Sequence, residues 1–310
     1  MKSAVYGAHT PVMVEKVVEL ILTSPSGQYI DATANGGGHT AALLQKLDKN
    51  GKIFAIDRDK DSIVELSKKF NNDSRIQTIH ANFRNINKLE RLESAKPFKG
   101  ILFDFGISSH MIDLSHSRGF SHRVAGPLDM RMDIQQDLTA DQIVNEYDEK
   151  DLAVLIRNYS EERYARRIAH AIVKSRPVKD TIELADIIRS AVPVKEEAKS
   201  IARVFQSIRI VVNEELSAIE AVLPQAVDLL EQGGRMITLA YHSLEDRIVK
   251  RFINDISRNC ICPPRQVVCT CGGQNATVKP LFRKVLKATD KERNDNIRSR
   301  SVRLRAIEKL

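Results

Sequence analysis

A chain of 310 residues with 42% hydrophobic side chains carries enough apolar material for two domains with cores of their own. No apolar run approaches the roughly 18 residues that a membrane span requires, and the N-terminus lacks the apolar core of a signal peptide, which leaves a soluble, cytoplasmic protein as the expectation. The formal charge of +8 is uneven: between Arg283 and Leu310 ten Lys or Arg stand against four acids, which fits either a polyanionic partner such as nucleic acid or a solvated basic surface.

Val14, Val17, Val18 and Ile21 take the i, i+3, i+4, i+7 spacing of an amphipathic helix over residues 12–22, led in by His9, Thr10 and Pro11. The stretch from Tyr29 to Asp59 then reads as one βαβ unit. A strand over 29–32 meets a turn of Gly36, Gly37 and Gly38, a helix over 39–47 follows, and a second strand over 52–56 ends on Asp57. Glycines between strand and helix let the backbone approach a ligand, and a carboxylate about 20 residues later can accept bonds from ribose hydroxyls. Three consecutive glycines followed by His39 do not match the G-x-G-x-x-G of a pyrophosphate site, so they suit an adenosine cofactor without phosphates, such as S-adenosylmethionine (SAM). His39 alone also fits helix capping or packing.

A helix is expected over 61–70 and a third strand over 76–80, with Phe83 beyond it, able to stack on an adenine or to fill the core. The run GILFDFG over 100–106 reads as a central parallel strand. Asp104 near its carboxyl end faces the crevice in which open α/β sheets bind ligands, or else caps a following helix. Residues 116–137 are polar and irregular, a long loop of the kind that is functional or disordered. Helices are expected over 139–147, 149–158, 161–175, 181–191 and 202–223, the third with Arg163, Arg166, Arg167, His170 and Lys174 away from its apolar face. The α/β pattern resumes with a strand over 235–241, then His242 and Ser243, a helix over 244–256, and strands over 281–286 and 301–307. The four cysteines of the chain, Cys260, Cys262, Cys269 and Cys271, form two CxC pairs in a Pro- and Gly-rich loop. The spacing leaves a metal clip or a redox pair open, but the reading taken is free thiols in a surface loop, with no metal assigned.

Taken together, HTPVMVEKVV, DATANGGGHT, AIDRD, DFGISSHMID, RGFS, GPLDMRMD, EERYARRIAHAI, FQSIRIVVNEEL and HSLEDRIVKRF resemble the ribosomal RNA small subunit methyltransferase H (RsmH, or MraW) family over nearly the whole chain. The resemblance implies an α/β fold, a class I SAM-dependent methyltransferase with a Rossmann-like sheet and an inserted all-helical domain. Residues 1–115 and 213–310 would form the methyltransferase domain, and 116–212 the substrate-recognition insert. It implies N4 methylation of a cytosine in 16S rRNA of the small ribosomal subunit. Cofactor contacts would be Gly37, Gly38, His39, Asp57, Phe83, Asp104 and Met111, where Met111 replaces a usual Gln. Asp104 and His242 are the catalytic candidates, Asp104 beside the reacting amine or the SAM amino group and His242 as proton acceptor, and residues 116–137 would cover a flipped base. Ala34 and Asn35 replace Phe and Gly of the family pattern, and Tyr241 a usual Phe. An rRNA-binding assembly factor without catalysis is the alternative, and monomer and homodimer both stay open.

Overall fold

A computed structural model of the protein describes residues 11–107, 115–263, 266 and 268–310. His9, Thr10 and Met111 lie outside the described residues. The chain forms two compact units, Met1–Gly106 with Leu216–Leu310, and Ile107–Glu215.

The first unit is built on one seven-stranded sheet. Strands β1 (Gln28–Asp31), β2 (Lys52–Asp57), β3 (Ile76–His80), β4 (Phe98–Asp104) and β5 (Leu230–Ala240) run parallel, while the edge strand β6 (Val278–Pro280) pairs antiparallel with β7 (Arg303–Lys309), itself antiparallel to β5. Their order across the sheet is β3-β2-β1-β4-β5-β7-β6. Central parallel strands are covered on both faces, which is why β2 and β4 are near-continuous apolar runs. Alternate residues serve opposite faces. Ile30, Phe54, Ile56, Ile101 and Phe103 pack with Val222, Leu223 and Ala226 of α11 (Glu215–Leu229) and with Val249 and Ile253 of α12 (Ser243–Ile256). Tyr29, Ile53, Leu102, Ile237 and Leu239 pack with Val17 and Ile21 of α1 (Val14–Ile21) and Leu43 of α2 (Gly38–Leu44). The helix α3 (Lys60–Lys69) starts on an Asp59 cap that accepts the Ser62 N–H, and α4 (Glu90–Ala95) precedes β4. Strand order reverses between β1 and β4, and the carboxyl ends of strands at such a reversal open the ligand crevice of α/β sheets.

The second unit begins directly after Gly106, earlier than the expected boundary at 116, and holds α5 (Ser115–Arg118), α6 (Ala140–Glu146), α7 (Glu149–Ser160), α8 (Ala165–Lys174), α9 (Thr181–Ser190) and α10 (Glu197–Val212). The single helix expected over 202–223 is two, α10 and α11. Glu214 sits at φ 49° between them, and the Asn213 side chain accepts from Met132 N and donates to Met130 O. Likewise the helix expected from 161 starts at Ala165, because Glu161 ends α7 in the left-handed region at φ 55°. Of the stretch 116–137, expected to be an irregular loop, the first three residues belong to α5 and the rest is packed: Phe120, Leu128, Met130 and Met132 are buried in the unit's own core. Arg131 grips Asp129 through two bonds of 3.0 and 2.8 Å and donates to the carbonyls of Ile134 and Gln136. Periodicity missed this segment because loop side chains bury without a repeating pattern.

At the far edge of the sheet the strand expected over 281–286 shrinks to one bridge between Leu286 and Leu304, and β6 lies just upstream. Pro280, which lacks an N–H, is tolerated there because an edge strand leaves some donors unused. Among the described residues no helix is long and apolar enough to cross a membrane.

Candidate active site

The carboxyl ends of β1, β2 and β4 bring together Asp31, Asp57 and Asp104 with the turn that follows β1. The turn is shaped by Asn35 (φ 45°) and Gly37 (φ 71°), two successive excursions into the left-handed region that Asn and Gly alone adopt cheaply. Asn35 therefore serves in conformation where the family pattern has Gly, and its side chain donates to the Thr33 carbonyl at 3.0 Å. A Cβ on Gly37 would stand 2.5 Å from Leu66 Cδ2, and one on Gly38 would stand 2.9 Å from Pro11 Cγ. Conformation and packing within the chain thus explain those two glycines. Gly36 is different: among the described residues a Cβ there would meet nothing within 4 Å, so it is the open face of the turn.

Asp57 is buried, and both its oxygens accept backbone N–H groups, Oδ2 from Asn35 and Oδ1 from Asp59, each at 2.8 Å. Burial is the main force on its carboxyl and, with the nearby acids Asp59 and Asp31, outweighs those two bonds, raising its pKa to about 6. Asp31, at the tip of β1, accepts from Thr40 Oγ1 at 2.6 Å, and burial raises its pKa as well. Sequence reasoning passed over Asp31 and Thr40, although both stand in the DATANGGGHT motif, because it weighted the glycines.

His39 is the most informative side chain. It is 5% exposed, and neither ring nitrogen has a hydrogen-bond partner among the described residues. Nε2 lies 3.6 Å from Asp104 Oδ2, too far for a hydrogen bond but close for a charge. Burial opposes protonation of the imidazole, yet the carboxylates of Asp104, Asp31 and Glu292 win and raise its pKa. Asp104 in turn accepts at Oδ1 from the Tyr241 hydroxyl at 2.6 Å, while its own backbone N–H donates to Thr33 Oγ1 at 2.6 Å. Burial first, and then the Asp104 charge, holds the Tyr241 hydroxyl well above the ordinary phenol range, so it stays a donor. The hydroxyl that distinguishes Tyr241 from a Phe is therefore in direct contact with a candidate catalytic acid, a role that position alone does not reveal.

Phe83 is half-buried, edge-on to Phe103 at 5.8 Å and tilted to Phe105 at 6.1 Å between ring centroids. His242 is the N-cap of α12: Nδ1 accepts the Glu245 N–H at 3.4 Å and Nε2 lies 3.1 Å from Glu245 Oε1. Its ring is held against the first turn of that helix, and Glu245 Oε2 closes the cap by accepting the Tyr241 N–H at 2.8 Å.

The match to a family model, described as the MraW methylase family, spans residues 7–310. The chain belongs to the MraW methylase family. It is 42% identical over 310 residues to the ribosomal RNA small subunit methyltransferase H of Heliobacterium modesticaldum, with 97% of this chain and 98% of that one covered. The protein of the same name from Caldicellulosiruptor saccharolyticus is 42% identical over 306 residues, with 97% and 99% covered. The sheet order places this MraW-family chain in the Rossmann-like class I methyltransferase fold, and its cofactor is SAM. The crevice fits that molecule on its own chemistry. Three carboxylates offer acceptors to an ammonium group and to hydroxyls, an open glycine face admits a close backbone approach, and the buried His39 has two nitrogens that only a group from outside the described residues can satisfy.

Proposed function

We propose that this chain methylates N4 of a cytosine in 16S rRNA of the small ribosomal subunit, with SAM as methyl donor, in the cytoplasm. The observation that carries the reading is the buried His39, without a hydrogen-bond partner among the described residues and set against Asp104 at the strand-order reversal, in a chain matched over residues 7–310 by a methylase family. Asp57 would accept the ribose hydroxyls, Phe83 would flank the adenine, and the turn of Gly36 to His39 would lie along the rest. Bound SAM supplies an electrophilic methyl on a sulfonium. The cytosine amine is a weak nucleophile because its lone pair is conjugated with the ring. It needs orientation more than a covalent partner, and positioning supplies most of the barrier reduction. Asp104, with one oxygen held by Tyr241, would hold the amine and take up its developing positive charge at the other. His242, tied to Glu245, is the weaker candidate for the departing proton. Residues 107–215 would read the RNA. Incubating the protein and tritiated SAM with small subunits from a strain lacking the gene should label one cytosine, mapped by mass spectrometry of the digested 16S rRNA. Binding to the particle with no label transferred would replace this reading with that of an assembly factor.

Asp57 gives the cofactor assignment a pH signature. A carboxyl whose folded pKa is about 6, above its ordinary 3.8, contributes stability that is fully present below 3.8 and lost as the pH rises through 6. That rise is worth about 3 kcal/mol. Hydroxyl donors favour the ionised form, so SAM should bind more tightly as the pH rises from 5 to 7 and should release a proton near pH 6. Calorimetry in buffers of different ionisation enthalpy checks this, with Asp57→Ala expected to weaken binding about ten- to a hundred-fold. An affinity flat across that range, or unchanged in Asp57→Ala, removes Asp57 from the site.

RNA binding should fall steeply with salt, since each neutralised phosphate releases counterions. On α8 Arg166 and Arg167 are exposed, whereas Arg163 is engaged by Glu196 at 3.0 Å and lies over the Tyr164 ring. Within the basic C-terminal stretch, Arg303 and Arg305 are spent on an internal pair with Asp246. Charge reversal at Arg166 and Arg167 together should therefore weaken binding more than reversal at Arg303. Equal effects, measured by filter binding across a salt series, would remove α8 as the contact.

A further inference from the structure

On spacing alone the two CxC pairs between α12 and β6 read as free thiols, but the folded loop gathers all four sulfurs at one point. The Sγ atoms of Cys260, Cys262, Cys269 and Cys271 lie within 4.8 Å of one another. The separations are 3.8 Å for Cys260–Cys269, 4.0 Å for Cys262–Cys269, 3.6 Å for Cys269–Cys271 and 3.8 Å for Cys260–Cys271. A disulfide needs sulfurs at about 2.05 Å. By contrast, four thiolates bound tetrahedrally at about 2.3 Å from one zinc ion stand about 3.8 Å apart along each edge. A cluster with two or more irons spreads its terminal thiolates wider than one ion does.

Among the described residues no apolar core draws these sulfurs together: Cys260 and Cys269 are exposed, and Ile261 is 61% and Val268 70% exposed. Its backbone is arranged around the sulfurs instead. Ile261, which follows Cys260, donates its N–H to Cys271 Sγ at 3.4 Å, and Thr270, which follows Cys269, donates to Cys262 Sγ at 3.4 Å. The middle residue of each CxC thus supports the second sulfur of the other, a reciprocal pattern that stabilises thiolates rather than packing thiols. The loop's base is tied by Thr277 N to Ile256 O at 2.9 Å and Asn275 N to Asn259 O at 3.1 Å, which brings the two pairs face to face.

We propose that Cys260, Cys262, Cys269 and Cys271 bind a single structural zinc ion. Four protein sulfurs complete the tetrahedron and leave no open position, so the ion has no part in methyl transfer. Its work is to hold the connection from α12 to the edge strand β6, a loop with too little buried surface to order itself. Binding displaces the thiol protons into solvent, so uptake is pH-dependent.

Protein purified without chelator should contain one zinc per chain by plasma mass spectrometry, and the native holoprotein should resist thiol-reactive dye. Cobalt exchanged into the protein should show the intense visible bands of a tetrahedral tetrathiolate site. Removing zinc from the folded protein should make the four thiols reactive and open residues 257–277 to protease at least tenfold faster, with protection restored by added Zn²⁺. The double variant Cys262→Ser, Cys269→Ser should lose the metal, and if it fails to fold, the chelation and cobalt measurements still decide. Four reactive thiols and no metal in the native protein, an iron chromophore, or cobalt bands of an octahedral site would each overturn the proposal.

Discussion

Asp104→Asn is expected to lower the rate of methyl transfer at saturating SAM by about 10²- to 10³-fold, the range associated with losing one positioned group that stabilises charge at the reacting atom. The substitution keeps the shape of the side chain. It retains an oxygen for the Tyr241 hydroxyl, now 2.6 Å from Oδ1, and puts an NH₂ where Oδ2 faces His39 at 3.6 Å. What disappears is the negative charge and an acceptor for the target amine. Single-turnover measurement with the SAM affinity determined alongside separates the two roles. A normal transfer rate with weakened SAM binding would leave Asp104 a cofactor ligand only, and a normal rate with normal affinity would remove it from the site. Tyr241→Phe is the natural contrast. It takes one donor from Asp104 and keeps the ring, and the rate should fall by no more than about ten- to a hundred-fold, the worth of one hydrogen bond to a charged group. A folded Cys269→Ser preparation should also transfer at the normal rate, since no covalent enzyme nucleophile is required.

The parallel strands, the glycine turn and two of the strand-tip acids, Asp57 and Asp104, were legible because they follow from local rules: apolar runs for covered strands, Gly for positive φ, and carboxylates at carboxyl ends. The helical insert between β4 and β5 was legible from the loss of alternation after residue 139. What did not show were features set by tertiary partners. Nothing in the order of residues says that Tyr241 donates to Asp104, 137 positions away, or that Met130 and Met132 enter a core rather than line a loop. The break at Glu214 depends on Asn213 reaching back to Met130 and Met132, partners that lie about 80 residues away. The cysteines show the same limit from the other side. Two CxC pairs are compatible with free thiols, disulfides or metal until the loop's backbone fixes where the sulfurs meet.

In the helical unit the largest effect on stability is expected from Gly119→Ala, at the glycine of the RGFS motif. Gly119 has φ 69°, and a Cβ there would stand 1.9 Å from the Pro127 carbonyl oxygen and 3.1 Å from Thr181 Cγ2. The oxygen cannot simply step aside, because its segment is pinned on both sides. Thr181 N and Oγ1 donate to Gly126 O at 3.1 Å and Val124 O at 2.8 Å, while Met130 N donates to Arg118 O at 2.8 Å and Ala140 N to Asp129 O at 2.9 Å. Left-handed backbone costs a non-glycine residue about 1–2 kcal/mol. Forcing an atom into a packed site costs about 1–3 kcal/mol more, so the sum is a large share of ordinary domain stability. Gly233→Ala isolates the two contributions, since Gly233 has φ 78° and nothing within 4 Å of its would-be Cβ. It should cost the backbone part alone. Urea unfolding of both variants, with hydrogen exchange to assign the loss to residues 107–215, measures the difference directly. Should Gly119→Ala prove no more costly than Gly233→Ala, the Gly126–Asp129 segment yields to the methyl group, and the RGFS and GPLDMRMD motifs are not the rigid latch that their hydrogen bonds describe.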